Sequence, residues 1–149
     1  MRARMGILLL PALLAGLAAC GTEAPQQGAQ QEVPVKAEVK IAQSELGPIL
    51  VDQTGRTLYA FTKDKDKSSA CDADCIAVWP ALTAESTVDA KDGADTKLVT
   101  RIDESEQAVY GEWPLYYYVG DQVAGDVNGQ GVDDEWFAVA ADGKLVKKS

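Results

Sequence analysis

One aromatic motif occurs twice in this chain at a constant spacing. The first copy contains Leu58, Tyr59, Phe61 and Asp64, and Trp79 follows the Asp by fifteen positions. Each of these positions recurs 57 residues later, and the second copy consists of Leu115, Tyr116, Tyr118, Asp121 and Trp136. A constant offset without a gap indicates a duplicated structural unit, so any fold for this chain has to accommodate two similar halves.

The repeated motif has two interpretations. Buried aromatic side chains bring large apolar areas to a small core, and an Asp can accept hydrogen bonds from loop amides or from an indole. Alternatively, Tyr59, Tyr116, Tyr118 and the two Trp residues relay electrons or form an exposed platform for a ligand. We expect the structural role, because a pattern repeated at constant spacing is typical of a core.

The first 20 residues resemble a bacterial export signal. Arg2 and Arg4 precede an apolar run at residues 7–19, which is shorter than the roughly 20 residues that span a membrane as a helix. The run ends in Leu-Ala-Ala-Cys, which resembles a lipobox and implies that Cys20 is acylated and becomes the mature N-terminus. An ordinary secretory signal with an incidental Cys is the alternative. We therefore predict a signal peptide at residues 1–19 and a lipid anchor in the bacterial cell envelope.

The residue after Cys20 bears on the destination of the protein. Gly21 stands where an Asp would resemble an inner-membrane retention signal, so the outer membrane is the expected location in a Gram-negative cell. Residues 20–35 contain mostly Glu, Ala, Pro, Gln and Gly and predict a flexible tether. The folded domain is then expected at residues 36–149.

Composition excludes several classes of function. The chain has 23 acidic and 14 basic residues, a formal net charge of −9, and removal of Arg2 and Arg4 with the signal brings this to −11. Such a charge argues against binding to nucleic acid or anionic lipid. The absence of His excludes His-based catalytic triads, His-ligated zinc and c-type haem attachment. We expect no enzyme activity and no bound cofactor.

Cys71 and Cys75 are the two cysteines that remain once Cys20 is assigned to lipid. Exported proteins form disulfides, and a helical turn between the two residues would bring their Cα atoms to roughly 6 Å, within the range of a disulfide. The alternative is a redox-active or metal-binding dithiol. Asp72 and Asp74 would raise the pKa of the thiols rather than lower it, so we expect a structural disulfide.

The pattern of apolar residues predicts a mainly β fold. Two tandem repeats, at about residues 38–84 and 97–147, are expected to pack as one domain built of hairpins and meanders, joined by a surface connection at 83–96. Strict alternation places Leu58 and Ala60 on one face of a strand and Tyr59 and Phe61 on the other. A short helical turn near the disulfide should begin at Asp72. Predicted strands cover residues 38–42, 49–52, 56–62, 97–102, 107–110, 113–119, 136–140 and 144–146.

The second loop between the motif Asp and Trp contains glycines and oxygen-bearing side chains in place of the two cysteines. Asp126, Asn128, Asp133 and Asp134 partly resemble the ligands of an EF-hand calcium loop, but the twelfth position of that loop is Phe137. The alternative is that these side chains cap turns of their own backbone, which we expect.

Together these motifs resemble the bacterial lipoprotein family described as a secreted repeat of unknown function, whose repeat is Tyr-x-(Phe/Trp/Tyr)-x-x-Asp. The resemblance covers about residues 49–141 and implies no established activity. The residues that carry it are Leu58, Tyr59, Phe61, Asp64, Cys71, Cys75, Trp79, Pro80, Leu82, Trp113, Pro114, Leu115, Tyr116, Tyr118, Asp121, Gly125, Asp126, Gly129, Gly131 and Trp136.

Three functional hypotheses follow. The first is a monomeric binding or structural accessory module of the cell envelope, with an envelope protein or ligand as its unidentified partner. The second is a redox or electron-transfer accessory lipoprotein that uses the dithiol or the aromatic side chains. The third is a domain outside the cytoplasm that calcium stabilises through the second loop.

Overall fold

The computed structural model describes residues 36–147. The predicted signal peptide, Cys20 and the predicted tether lie outside the described residues. Within them the chain is mainly strand with one short helix near the disulfide, which confirms the predicted fold class. The elements in chain order are β1 (Ala37–Ser44), β2 (Gly47–Asp52), β3 (Tyr59–Phe61), α1 (Ala73–Val78), β4 (Val88–Lys91), β5 (Val99–Arg101), β6 (Ala108–Tyr110), β7 (Trp113–Pro114), a 3-10 turn (Val132–Asp134) and β8 (Trp136–Ala138).

The first sheet has the order β2-β1-β4. β1 and β2 form an antiparallel hairpin that closes at Ser44 and Gly47, where the Ser44 hydroxyl donates a hydrogen bond to the Gly47 carbonyl oxygen at 2.8 Å. Gly47 has a φ of +93°, a conformation that favours glycine. The hairpin thus forms between strands that adjoin in sequence.

β4 lies within the segment predicted as a surface connection, residues 83–96, where no strand was expected. This strand pairs in parallel with β1, in the register Ala37 with Val88. Val88 and Ala90 pack against the core, while Asp89 and Lys91 alternate with them along the strand. The alternation is only four residues long and lies in an acid-rich stretch, which obscures it in the sequence.

The strand that carries the first motif pairs with the second repeat. β3 is antiparallel to β8, with Tyr59 opposite Ala138 and Phe61 opposite Trp136. Tyr116 of the second motif pairs with Ala81 of the first repeat, the equivalent contact. The strands predicted at residues 49–52 and 56–62 were expected to form a hairpin with each other. That hairpin is short, because the chain leaves β2 after the bridge from Val51 to Thr57 and joins the other repeat.

β5, β6 and β7 form a three-stranded meander, as expected from the strands predicted at residues 97–102, 107–110 and 113–119, but β7 ends at Pro114 and is shorter than predicted. Two hydrophobic clusters lie on opposite faces of β3. Leu58 and Ala60 belong to the first cluster, and Tyr59 and Phe61 belong to the second, which confirms the predicted alternation. All three residues of β3 are buried, so this strand lies inside the folded domain of residues 36–147.

The helix α1 follows the predicted capping pattern. The Asp72 carboxylate accepts a hydrogen bond from the Cys75 backbone N–H at 3.0 Å, and the helix ends at Val78, two residues before Pro80. Cys71 and Cys75 form a disulfide with their Cα atoms 5.2 Å apart. Both cysteines are partly buried and pack against the second cluster, so the disulfide supports the core containing the motif.

Candidate functional site

Hydrogen bonds between tyrosine and aspartate connect the two copies of the motif. The Tyr59 hydroxyl donates to Asp121 Oδ2 at 2.9 Å, and the Tyr116 hydroxyl donates to Asp64 Oδ2 at 2.8 Å. Each tyrosine of one repeat thus binds the aspartate of the other. The backbones of Tyr59 and Tyr116 also exchange two hydrogen bonds, at 2.8 and 2.9 Å. The repeats are consequently related by an approximate two-fold axis that passes between these tyrosines.

Each motif aspartate also holds its own loop. The second carboxylate oxygen of Asp64 accepts a hydrogen bond from the Ala70 N–H at 2.7 Å, and that of Asp121 accepts one from the Asn128 N–H at 2.9 Å. One carboxylate therefore connects the loop of its own repeat to the tyrosine of the other. This satisfies both oxygens of a buried group, which would otherwise destabilise the fold.

Burial changes the proton affinity of these groups. Loss of hydration raises the pKa of the Tyr59 and Tyr116 hydroxyls well above the usual value, and the adjacent aspartates raise it further. Loss of hydration also raises the pKa of Asp64 and of Asp121, while the hydrogen bonds they accept act in the opposite direction. The phenols, which are protonated at neutral pH even in water, therefore stay protonated to a higher pH in the folded protein.

Four rings of the motif stack face to face in a row. The centroids of Phe61 and Trp136 are 4.3 Å apart, those of Trp136 and Trp79 are 3.8 Å apart, and those of Trp79 and Tyr118 are 4.4 Å apart. The two indoles are parallel to within 1°. Phe61 and Tyr118 occupy equivalent positions in the two repeats, so the stack follows the same two-fold relation. We call these four side chains the aromatic stack.

Tyr59 and Tyr116 flank the aromatic stack at its centre. The edge of Tyr59 meets Trp79 at a centroid distance of 5.5 Å, and the edge of Tyr116 meets Trp136 at 5.2 Å. Such edge-to-face contacts are favourable for aromatic pairs. Nine of the ten motif residues are buried, with Tyr118 half-buried, which supports the structural interpretation of the motif.

The two ends of the aromatic stack differ. Phe61 is 7% exposed, and the ammonium of Lys63 lies 5.7 Å from its ring centroid while paired with Glu135 at 2.6 Å. At the other end, Tyr118 adjoins Val119, which is 47% exposed, and the Val119 N–H donates to the carbonyl oxygen of Val78, itself 42% exposed. We call Val78, Tyr118 and Val119 the open end.

The two loops between motif Asp and Trp support the core by different means. The first loop contributes the disulfide and the Ser69 hydroxyl, which lies 2.7 Å from the Tyr116 hydroxyl. The second contributes Gly129, whose N–H donates to the Tyr59 hydroxyl at 3.2 Å. A β carbon on Gly129 would lie 2.8 Å from Tyr59 Cζ and 3.0 Å from two ring carbons of Trp79. Glycine is therefore required at this position by close packing.

Of the four candidate calcium ligands, two are hydrogen-bonded to the backbone and two lie in the 3-10 turn. Asp126 Oδ2 accepts hydrogen bonds from two backbone N–H groups, at 2.8 and 3.1 Å, and Asn128 donates to the Gly120 carbonyl oxygen at 3.3 Å. Asp133 and Asp134 lie in the 3-10 turn with φ values of 55° and 56°. Within residues 36–147, no three side chains of His, Cys, Asp or Glu group closely enough to hold a metal ion.

A third contact between tyrosine and aspartate was missed by the sequence reasoning. The Tyr117 hydroxyl donates to Asp52 Oδ2 at 3.0 Å, and the guanidinium of Arg56 lies 4.4 Å from the Tyr117 ring centroid. Asp52 is only 4% exposed. In the sequence, this contact of Tyr117 was indicated only by alternation along the chain, which directs Tyr117 away from the tyrosines on either side and toward the first cluster.

A separate open groove of about 440 Å³ involves none of the motif residues. Its lining residues lie in the turn between β1 and β2, at the start of β2 and in the segment after β8, and include Leu46, Pro48, Leu145 and Val146. The arrangement of the motif thus provides a dense, hydrogen-bonded aromatic core rather than a concave pocket.

No helix within residues 36–147 is both long and apolar enough to cross a membrane. Comparison with curated proteins and with solved structures found no match. A family model described as a secreted repeat of unknown function matches the chain twice, at residues 40–83 and 97–140, again 57 residues apart. These segments cover more than half of the chain and contain every residue of both motifs. The tandem repeats inferred from the sequence are thus confirmed, and the protein belongs to this family of secreted repeats of unknown function.

Proposed function

We propose that the protein is a lipid-anchored accessory module of the bacterial cell envelope. The lipobox ending at Cys20 supports the anchor, and the family description as secreted supports export. Acyl chains on Cys20 would hold the protein at a membrane, and residues 20–35 would space the folded domain from the lipid. In a Gram-negative cell we assign it to the outer membrane on the basis of Gly21.

Metabolic labelling with a palmitate analogue tests the anchor. The wild-type protein should incorporate the label and fractionate with membranes, whereas Cys20→Ala should do neither. Cys71→Ala is the matched control, because it removes a cysteine of the folded domain and should leave labelling unchanged. Labelling that persists in Cys20→Ala would refute the anchor at this residue.

We further propose that the folded domain binds a protein of the envelope at the open end. The observation that carries this proposal is the asymmetry of the aromatic stack: the Phe61 end is covered, while Val78 and Val119 are exposed beside Tyr118. Val78 and Val119 are neighbours joined by a backbone hydrogen bond, and exposed apolar residues that adjoin one another, rather than scattered single ones, mark contact surfaces. The acidic charge of the chain favours a partner whose contact surface is apolar with a basic rim.

Site-specific photocrosslinking in living cells tests this surface. A photoreactive residue at Val119 should give a discrete crosslinked product, and Val78→Asp should abolish it. The same photoreactive residue at Lys91, which is exposed on β4, is the control position. Equal crosslinking from both positions, or none from Val119, would refute binding at the open end.

This function requires no catalysis and no cofactor. The chain lacks histidine, and burial raises the pKa of the Tyr59 and Tyr116 hydroxyls further above neutral pH, so neither phenol is an activated nucleophile. We propose that the module acts as a monomer. Sedimentation equilibrium of the detergent-solubilised protein tests this, and a mass twice that of one chain would contradict it.

A further inference from the structure

We propose that the aromatic stack and its two flanking tyrosines also accept oxidising equivalents. A one-electron oxidant removes an electron at the open end, and the resulting radical forms finally on Tyr116 or Tyr59. The proposal is independent of the partner proposed above. It rests on the juxtaposition of the aromatic stack with two phenols that are each hydrogen-bonded to a carboxylate.

The first element of the proposal is contact between oxidisable rings. Indole and phenol are the most readily oxidised of the aromatic side chains, and Trp136, Trp79 and Tyr118 form an unbroken row with centroid distances of 3.8 and 4.4 Å. Rings at van der Waals distance exchange an electron readily. An electron removed from Tyr118 or Trp79 is therefore replaced from Trp136, and the hole moves along the row.

The second element is a proton acceptor already in place. When Trp136 carries the hole as an indole radical cation, Tyr116 supplies one electron to it, and the Tyr116 proton moves along the existing 2.8 Å hydrogen bond to Asp64 Oδ2. The products are neutral Trp136, a neutral phenoxyl radical on Tyr116 and a neutral carboxylic acid on Asp64. The step balances one electron and one proton.

This step also removes charge from a buried region. Before it, a radical cation and a carboxylate lie in the core; after it, all three groups are neutral. Burial disfavours charged groups, so the environment that raises the pKa of Asp64 also favours proton transfer to it. The same reasoning holds for Trp79, Tyr59 and Asp121, where the hydrogen bond is 2.9 Å long.

An electron can leave the aromatic stack at the open end. Tyr118 is half-buried beside the exposed Val119, whereas Phe61 closes the opposite end with a ring that is much harder to oxidise. Diffusible radicals are the class of oxidant that would react there. A quinol or thiol would return the electron, and Asp64 would return the proton to Tyr116.

Pulse radiolysis of the detergent-solubilised full-length protein tests the proposal, with azidyl radical as the oxidant. The indolyl radical absorbance should decay as the phenoxyl absorbance rises, with a slower rise in D₂O because a proton moves in the same step. The double variant Asp64→Asn, Asp121→Asn should slow the rise by about a hundredfold, the lower end of what a positioned base contributes, whereas either single variant leaves the other pair of tyrosine and aspartate in place. Tyr110→Phe is the matched control, because Tyr110 is a buried tyrosine outside the stack whose hydroxyl donates to the Ala141 carbonyl oxygen at 2.7 Å.

Two further measurements separate this role from a purely structural one. Tyr59→Phe combined with Tyr116→Phe keeps the ring contacts and should lower the phenoxyl yield, whereas Tyr110→Phe should not. The isotope effect on the wild-type protein requires no variant to fold. An indolyl radical that decays without forming phenoxyl, or the same phenoxyl kinetics in H₂O and D₂O, would overturn the proposal and leave the aromatic stack with packing alone.

Discussion

Replacement of Gly129 by Ala probes the close packing of the motif core. The added β carbon would lie 2.8 Å from Tyr59 Cζ and 3.0 Å from Trp79 Cη2 and Cζ3. Carbon atoms in contact normally lie about 3.5–4.0 Å apart, so these rings would have to move by roughly 0.5–1 Å. Neither ring moves freely, since Tyr59 is hydrogen-bonded to Asp121 and Trp79 lies between two other rings of the aromatic stack.

The magnitude follows from these constraints. Overpacking a dense core costs about 1–3 kcal/mol, and rigid rings place Gly129→Ala toward the upper part of that range. Weakening of the hydrogen bond from the Gly129 N–H to the Tyr59 hydroxyl adds about 1 kcal/mol. Loss of glycine's freedom in the unfolded chain offsets about 0.4–1 kcal/mol. We expect a net loss of about 3 kcal/mol, or a Tm lower by about 12 °C for a domain of this size.

Urea denaturation followed by tryptophan fluorescence measures this loss, and near-UV circular dichroism reports the geometry of the two indoles. Gly131→Ala is the comparison, because Gly131 has a φ of +73° and no atom within 4 Å of a β carbon. That variant should lose stability through its backbone conformation alone and keep the wild-type near-UV spectrum. Gly129→Ala with wild-type stability and spectrum would show that the packing argument is wrong.

Three further predictions concern pH, the disulfide and calcium. Folding raises the pKa of Tyr59 and of Tyr116 above the unfolded value of about 10. Their contribution to stability is therefore complete below about pH 10 and is lost as the pH rises above it. Tm should fall over that range, and it should fall less steeply in Tyr116→Phe. Reduction of the disulfide between Cys71 and Cys75 should lower the free energy of unfolding by about 2 kcal/mol, the value expected for so short a loop. Thermal or urea unfolding measures the loss. A larger loss would mean that the disulfide does more than restrict the unfolded chain. Calcium and EDTA should leave Tm unchanged, because Asp126 already accepts two backbone hydrogen bonds; a rise with calcium that EDTA reverses would instead support the calcium hypothesis.

Local patterns were sufficient to predict much of the fold. Alternation along one strand separated Leu58 from Tyr59, and each residue lies in the cluster expected for its face. Asp72 begins the helix because its short side chain can accept a hydrogen bond from the first turn. These features depend on neighbours within a few residues, which is the range over which a sequence pattern carries structural information.

The exchange of partners between repeats could not be predicted in this way. Asp64 lies five positions from Tyr59 in its own repeat, yet it binds Tyr116. Because both repeats carry the same residue types, the sequence pattern fits pairing within a repeat as well as pairing between repeats. Tyr117 was missed for a different reason: its equivalent in the first copy is Ala60, so repetition gave no indication of its contact with Asp52.

The exchanged hydrogen bonds mean that neither repeat is complete by itself. A separated first repeat would bury the Tyr59 hydroxyl and the Asp64 carboxylate without their partners, unless a second copy supplied them through an isologous contact. The structure therefore contains the geometry of a symmetric dimer within one polypeptide, as expected if a gene for a self-associating single repeat was duplicated and fused. Fusion makes the association intramolecular, so the folded state no longer depends on protein concentration.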